Sequence, residues 1–219
     1  MRKLLKLIAV LLFAAITQAS HADVTFNLDT VINGDTPSGS SPWLTATFTS
    51  IATDQVELTL ANNMGSGQYI SDLLFSTSIS NPTSLTVSPS PSPYTGSISI
   101  STDQTLAGDP SVQAGLFNIN IPFTGSIQFN GTNSPVNLFL SASGLTEDSF
   151  NLLSADGGTS NPGGWLMAAE VQGIPVIGGG TTSGSIGFTN VSAVPEPEIY
   201  AMMGVGLLLI GFVVHRRRP

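Results

Sequence analysis

Between Ala22 and Val214 the chain has no lysine, arginine, histidine or cysteine. Its six basic residues sit at the ends, Arg2, Lys3 and Lys6 at the front and Arg216, Arg217 and Arg218 at the back. The two histidines, His21 and His215, are terminal as well. Each absence removes a chemistry. No Ser-His or Cys-His nucleophile pair can form, and zinc loses its usual ligands. Without lysine there is no Schiff base, and without any cation there is no clamp for phosphate. With no cysteine in the chain, no disulfide can staple it, so a domain built here relies on its core alone.

What remains is acidic. Fourteen Asp and Glu against six Lys and Arg leave a formal net charge of −8, and every acid lies between Asp23 and Glu198. Such a surface repels nucleic acid, which is excluded as a partner. Carboxylates, hydroxyls, amides and backbone are the only catalytic vocabulary left to the central region.

Both ends read as addresses. Met1 to Lys6 is basic, Leu4 to Ile16 is almost continuously apolar, and Ser20-His21-Ala22 sets small residues at the −3 and −1 positions. This layout predicts a secretory signal peptide over 1–22, cut after Ala22. The apolar run falls short of the roughly 18–20 residues a spanning helix needs. At the other end, Val194-Pro195-Glu196-Pro197 precedes an apolar run from Ile199 to Val214, then His215 and three arginines. As a transmembrane helix, 199–214 spans about 24 Å, short for a hydrocarbon core of about 30 Å. Arg216, Arg217 and Arg218 form a cytoplasmic anchor by the positive-inside rule, so the domain before them lies beyond the inner membrane. Pro195 and Pro197 force an extended segment that cannot join the helix.

These three parts, in this order at the C-terminus, resemble the sorting tail of the PEP-CTERM proteins, which are substrates of the membrane protease–transpeptidase exosortase. The resemblance covers 194–219. It implies an exopolysaccharide-making Gram-negative host, with export and anchoring facing the periplasm. Cleavage near the Pro195, Glu196, Pro197 motif and release to the cell surface or biofilm matrix would follow. By the same resemblance the partners are exosortase, the inner membrane and, in the matrix, exopolysaccharide.

The segment between, 23–193, alternates apolar and polar residues. Val24-Phe26-Leu28, Val56-Leu58-Leu60, Ile119-Ile121-Phe123, Ile127-Phe129, Val136-Leu138-Leu140 and Ile186-Phe188 are the clearest runs. Loops rich in Gly, Pro, Asn and Ser separate them, at Asn33-Gly34-Asp35, Pro37–Pro42, Asn62–Gly67 and Asp156–Gly164. The pattern predicts an all-β antiparallel β-sandwich, jelly-roll or Ig-like, of about ten strands. Thr146–Leu153 predicts one short helix, with Thr146 as N-cap and Phe150 and Leu153 on one face. The Pro-Ser repeat Val87–Tyr94 reads as a loop. Ala168–Ile174 is similar to a stretch of other PEP-CTERM ectodomains, which implies shared architecture and no particular activity.

Three constellations carry chemistry. Asp54 with Glu57, Glu147 with Asp148, and Asp103 with Asp109 are paired carboxylates of the kind a glycosidase uses. Acids in loops are more often solvated charge that keeps a domain soluble. Loop oxygens from Asp29, Asn33 and Asp35, or from Asp103 and Asp109, offer a structural calcium site, though without EF-hand spacing. Trp43, Trp165, Tyr69 and Tyr94 sit in or beside loops, where aromatic rings can stack on sugars. The commoner fate of large aromatics is to fill a core. The reading is a non-enzymatic surface or matrix protein with no cofactor. A polysaccharide-binding module is the alternative, and a carboxylate-dependent glycoside hydrolase comes third.

Overall fold

Period-two stretches fold as strands because one face of each must be buried while its backbone finds partners on both sides. A computed structural model of the chain describes residues 23–89, 99–104, 114–123, 128–158 and 162–189. On β1 (Val24–Leu28), Val24, Phe26 and Leu28 are buried and Thr25 and Asn27 are not. The same alternation runs along β4 (Gln55–Met64) and β10 (Val136–Ser141). With β3 (Gly39–Ala52) and β6 (Thr86–Pro89) they form one antiparallel sheet in the order β1-β3-β4-β10-β6.

The second sheet is also antiparallel. It comprises β2 (Thr30–Gly34), β12 (Thr181–Phe188), β11 (Met167–Pro175), β5 (Tyr69–Phe75), β8 (Phe117–Pro122) and β7 (Ser99–Gln104), in that order. A two-residue strand, β9 (Phe129–Asn130), pairs with one end of β5. The described residues therefore form twelve strands where about ten were expected. The surplus comes from short pieces such as β9, which alternation over two residues cannot announce. The described residues fall in one compact unit, Asp23–Ala193. The segments 1–22 and 194–219 lie outside them, including the expected signal peptide and the 199–214 helix. Among the described residues no helix is long and apolar enough to cross a membrane.

One hydrophobic core joins the inner faces of both sheets. Its densest point is aromatic. Phe48 of β3 stacks on Phe150 with centroids 4.1 Å apart and planes at 15°. The same ring meets Phe75 of β5 edge-on at 5.5 Å, so Phe48 bridges the two sheets directly. A second bridge is Phe26 of β1 on Phe188 of β12, at 5.8 Å.

Phe150 is delivered by the segment expected to be helical. That segment is a single 3₁₀ turn, Glu147–Phe150, in place of a longer helix. The Thr146 backbone N–H donates to Ser149 Oγ at 3.1 Å, closing the turn on itself. Phe150 is fully buried, but Leu153 is 50% exposed, so the two do not share an apolar face. The Pro-Ser repeat differs from expectation too. Val87–Pro89 belong to edge strand β6, paired with β10, a position where proline costs no ladder bond if its N side faces out. The rest of the repeat, with Tyr94, lies outside the described residues.

Phe48→Ala removes a ring that touches Phe26 of its own sheet, Phe75 of the other sheet and Phe150 of the turn. It is expected to destabilise the chain by about 3–5 kcal/mol, read as a lower denaturation midpoint. Ile51→Ala, at a 45% exposed position on the same strand, is expected to stay within about 0.5 kcal/mol of the parent.

Candidate functional site

The fold separates the carboxylate pairs that the sequence set side by side. Asp54 occupies the β3–β4 turn in the left-handed region, φ 63°, and its Oδ1 accepts the Gly144 N–H at 2.7 Å. It fixes two loops to each other. Glu57 lies on β4 opposite Thr49 and Phe139. Glu147 is buried, and its backbone N–H and carboxylate both bond the Ser50 hydroxyl, whereas neighbouring Asp148 is exposed and accepts from Asn151 Nδ2 at 3.2 Å. Adjacent in sequence, these two acids do different local jobs. Asp103 is on β7, and Asp109 lies outside the described residues.

The loop candidates for calcium are likewise engaged locally. Asp29 Oδ1 accepts from Thr30 Oγ1 at 3.0 Å, and Asn33 Oδ1 accepts the Gly34 N–H at 2.7 Å. Among the described residues no three His, Cys, Asp or Glu side chains gather as a metal centre. Of the aromatics, Trp43 is 8% exposed and belongs to the core, so its faces are covered by protein. Trp165 packs with Leu74, Phe117 and Ala168 on the outer side of the second sheet. Tyr69, on β5, is half-buried and pairs with Asn130. Beside that pair opens a cleft of about 410 Å³, lined by Ser40, Asn62, Asn63, Ser66, Asn130 and Thr132 among others. Several of its amides hold loops in place. Asn63 Nδ2 donates to the Pro42 carbonyl at 3.1 Å, and Asn130 Oδ1 accepts the Thr132 N–H at 3.0 Å.

The most concentrated polar group is one that sequence spacing did not reveal. Asp72 on β5 and Glu170 on β11 are direct cross-strand partners. On a sheet such partners have Cβ atoms about 5 Å apart. Leu74, two residues along β5, pairs with Ala168 on one side and Asn120 on the other, which puts Asn120 on the same outer face. Between Ile70 and Asp72, β5 carries one residue more than β11, Ser71. This bulge re-aims the strand locally, and the Ser71 carbonyl accepts the Phe123 N–H at 2.7 Å. Asp72 and Asn120 are each only 8% exposed. Glu170 Oε1 accepts from Gln172 Nε2 at 2.6 Å. The Asn120 and Ser71 side chains hydrogen-bond the Asp72 carboxyl, and the Asn120 Oδ1 atom is buried without a partner.

Comparison with known proteins reaches only the tail. Residues 193–218 match the family model of the PEP-CTERM protein-sorting motif. The chain therefore carries this sorting motif in its C-terminal tail, over the segment that contains Pro195, Glu196, Pro197 and the three arginines. The motif implies export, anchoring through the tail and processing by exosortase. Those residues, and the cleavage position Ala22, lie outside the described structure. No curated protein and no solved structure matches the chain.

Burial pushes the Asp72 carboxyl above its ordinary value, while the Asn120 and Ser71 side chains beside it pull the other way. A raised value means that the folded chain holds this proton more tightly than the unfolded chain does. The resulting stabilisation is fully present below the unfolded value of about 3.9 and is lost as pH rises through the raised folded one. At neutral pH the charged carboxylate is therefore a cost. With metal ions chelated, Asp72→Asn is expected to raise the melting temperature at pH 7 by roughly 3 °C, equivalent to about 1 kcal/mol. The gain should vanish near pH 4. Thermal melts at both pH values check this.

Proposed function

We propose that the chain is an exported, non-enzymatic protein of the cell surface or exopolysaccharide matrix. In this reading a signal peptide over 1–22 is removed after Ala22. The domain 23–193 then stays outside the inner membrane on the 199–214 helix, and exosortase cuts near Pro195-Glu196-Pro197. The observation that carries it is the sorting motif at 193–218. The charge distribution supports it, since every base lies in the two end segments and none in the domain. The architecture is read as a β-sandwich of jelly-roll type, because successive strands change sheet at β1–β2, β2–β3, β4–β5, β5–β6, β6–β7, β9–β10 and β10–β11.

Absence of catalysis is supported by the carboxylates. Asp54 and Glu147 are bound into loops. The facing pair Asp72 and Glu170 lines neither of the two clefts described on the surface. An acid 8% exposed also leaves no room for a sugar ring to approach. A glycan-binding role is favoured by one feature, the amide- and hydroxyl-lined cleft of about 410 Å³. Amides and hydroxyls recognise sugar hydroxyls.

In a host that has exosortase, replacing Pro195 and Pro197 with Ala is expected to leave an uncleaved, membrane-held chain. Mass measurement of the surface fraction reads this as retention of Arg216 to Arg218, and intact arginines on the parent protein would reduce the tail to a plain anchor. Retention of the protein on host exopolysaccharide is expected to fall at least fivefold in Asn63→Ala, at a residue that lines the cleft, if the cleft binds glycan. Equal retention of parent and variant would remove that role.

A further inference from the structure

We propose that Asn33 is a self-modification site, where the side chain closes onto the Gly34 nitrogen and is converted, with loss of ammonia, to aspartate and isoaspartate. The chain has two Asn-Gly pairs, Asn33-Gly34 on β2 and Asn130-Gly131 at the start of a 3₁₀ turn. Glycine has no Cβ, so in such pairs nothing shields the following nitrogen from the carboxamide. Sequence alone makes the two pairs equivalent, and the fold separates them.

At Asn33 the reacting groups are already in contact. The Gly34 N–H donates to Asn33 Oδ1 at 2.7 Å. A C=O bond is about 1.2 Å long, which puts Asn33 Cγ within about 4 Å of that nitrogen. Bonds form from separations of roughly 3–3.5 Å, so little movement is needed. Gly34 is exposed and Asn33 only half-buried, so water and hydroxide reach both. At Asn130 the contact is a different one. Its Oδ1 accepts the Thr132 N–H at 3.0 Å, capping the turn one residue beyond the nitrogen that would have to attack. That capping bond must open before Gly131 can react.

The packing keeps the reactive pair in place. Gly34 has φ 76°, and a Cβ there would stand 2.7 Å from the Ser183 carbonyl oxygen and 2.8 Å from Gly184 Cα. The close approach of β2 to β12 therefore demands the one residue that leaves the nitrogen open. In the first step hydroxide takes the Gly34 amide proton and the nitrogen bonds to Asn33 Cγ. The Cγ–Nδ2 bond breaks, and Nδ2 leaves as ammonia with a proton from water. The product is a five-membered succinimide, which a second water opens. Attack at Cγ restores the normal backbone with a carboxylate side chain. Attack at the main-chain carbonyl carbon leaves the backbone running through Cβ and Cγ, as isoaspartate. The balance is one water consumed and one ammonia released.

Both products add a carboxylate between Asp29 and Asp35, in a domain with no base to pair it. Isoaspartate also adds one backbone atom to β2, an edge strand whose only neighbour is β12, with Asn33 opposite Ser185 and Gly34 opposite Gly184. Pairing beyond that atom falls out of step, so the modification loosens one edge of the second sheet as the molecule ages. The inference depends neither on how the tail is sorted nor on what the cleft binds.

The test incubates the full chain in detergent at 37 °C, at pH 5 and pH 7, native and in urea. Chymotryptic peptides are then weighed, since the domain has no site for trypsin. In the native chain at pH 7 the peptide holding Asn33 should become about one dalton heavier and split into two separable species. It should do so at least about tenfold faster than the peptide holding Asn130, and more slowly at pH 5. In urea the two sites should react at similar rates. This comparison is made within one molecule, so it does not depend on a variant that folds. Asn33→Gln, which would have to close a six-membered ring, should release ammonia only at the background rate. The β2 amides should exchange hydrogen faster in the aged parent than in the fresh one, and equally in aged and fresh Asn33→Gln. A native Asn33 that stays intact, or that reacts no faster than Asn130, would overturn the proposal. Unchanged exchange along β2 in the aged parent would overturn the loosening of the sheet edge.

Discussion

Among the described residues the two sheets are held together chiefly by the apolar side chains of their inner faces. No cysteine can bridge them, and no basic side chain in the domain can pair with an acid across the gap. Specificity of packing must then come from shape, and the aromatic rings supply it. Phe48 of β3, Phe75 of β5 and Phe150 of the 3₁₀ turn meet at one point, so the position of each sheet is set against the other and against the turn. The turn is in turn tied to β3 through the Ser50 hydroxyl and Glu147. An otherwise costly buried acid thereby helps fix the ring beside it.

The strands were largely legible, because burial of one face imprints a period of two on the sequence. Val24-Phe26-Leu28 and Val136-Leu138-Leu140 are buried in β1 and β10 as their spacing indicated. Legibility failed where local spacing did not decide the outcome. Phe150 and Leu153 have helical spacing, but a self-capped turn ends the segment after Phe150 and leaves Leu153 in solvent. Trp43 sits in a stretch that reads as loop, with Pro37 and Pro42 around it, yet β3 begins at Gly39 and carries that ring into the core. Fourteen residues of strand, irregular in register near their start, look like a turn when read residue by residue.

The polar site was hidden for a different reason. Carboxylates were paired along the chain, as Glu147 with Asp148, because sequence displays neighbours in one dimension. Asp72 and Glu170 are brought opposite each other by the register of β5 against β11 and by a one-residue bulge, neither of which has a signature in composition. A partial signal existed. In Ala168-Ala169-Glu170-Val171-Gln172, alternation puts Glu170 on the face opposite buried Val171, and Ser71-Asp72 interrupts a strand that is otherwise apolar from Tyr69 through Phe75. An acid inside an apolar strand, in a domain with no base, is the feature to look for. The tail is the opposite case, since a linear recognition element is legible in full from linear information.

The edges of the first sheet have a consequence for how these molecules behave when crowded. Its outermost strands are β1, of five residues, and β6, of four, the latter ending in Pro89. A second molecule arriving edge-on finds a ladder only a few bonds long, closed at one end by a residue with no N–H to give. It arrives, moreover, carrying carboxylates and no counter-charge of its own within the domain. Strand-to-strand fusion, the usual hazard of β-rich chains at high local concentration, is thereby disfavoured twice over. The same acidity that strains the fold from within keeps neighbouring copies apart.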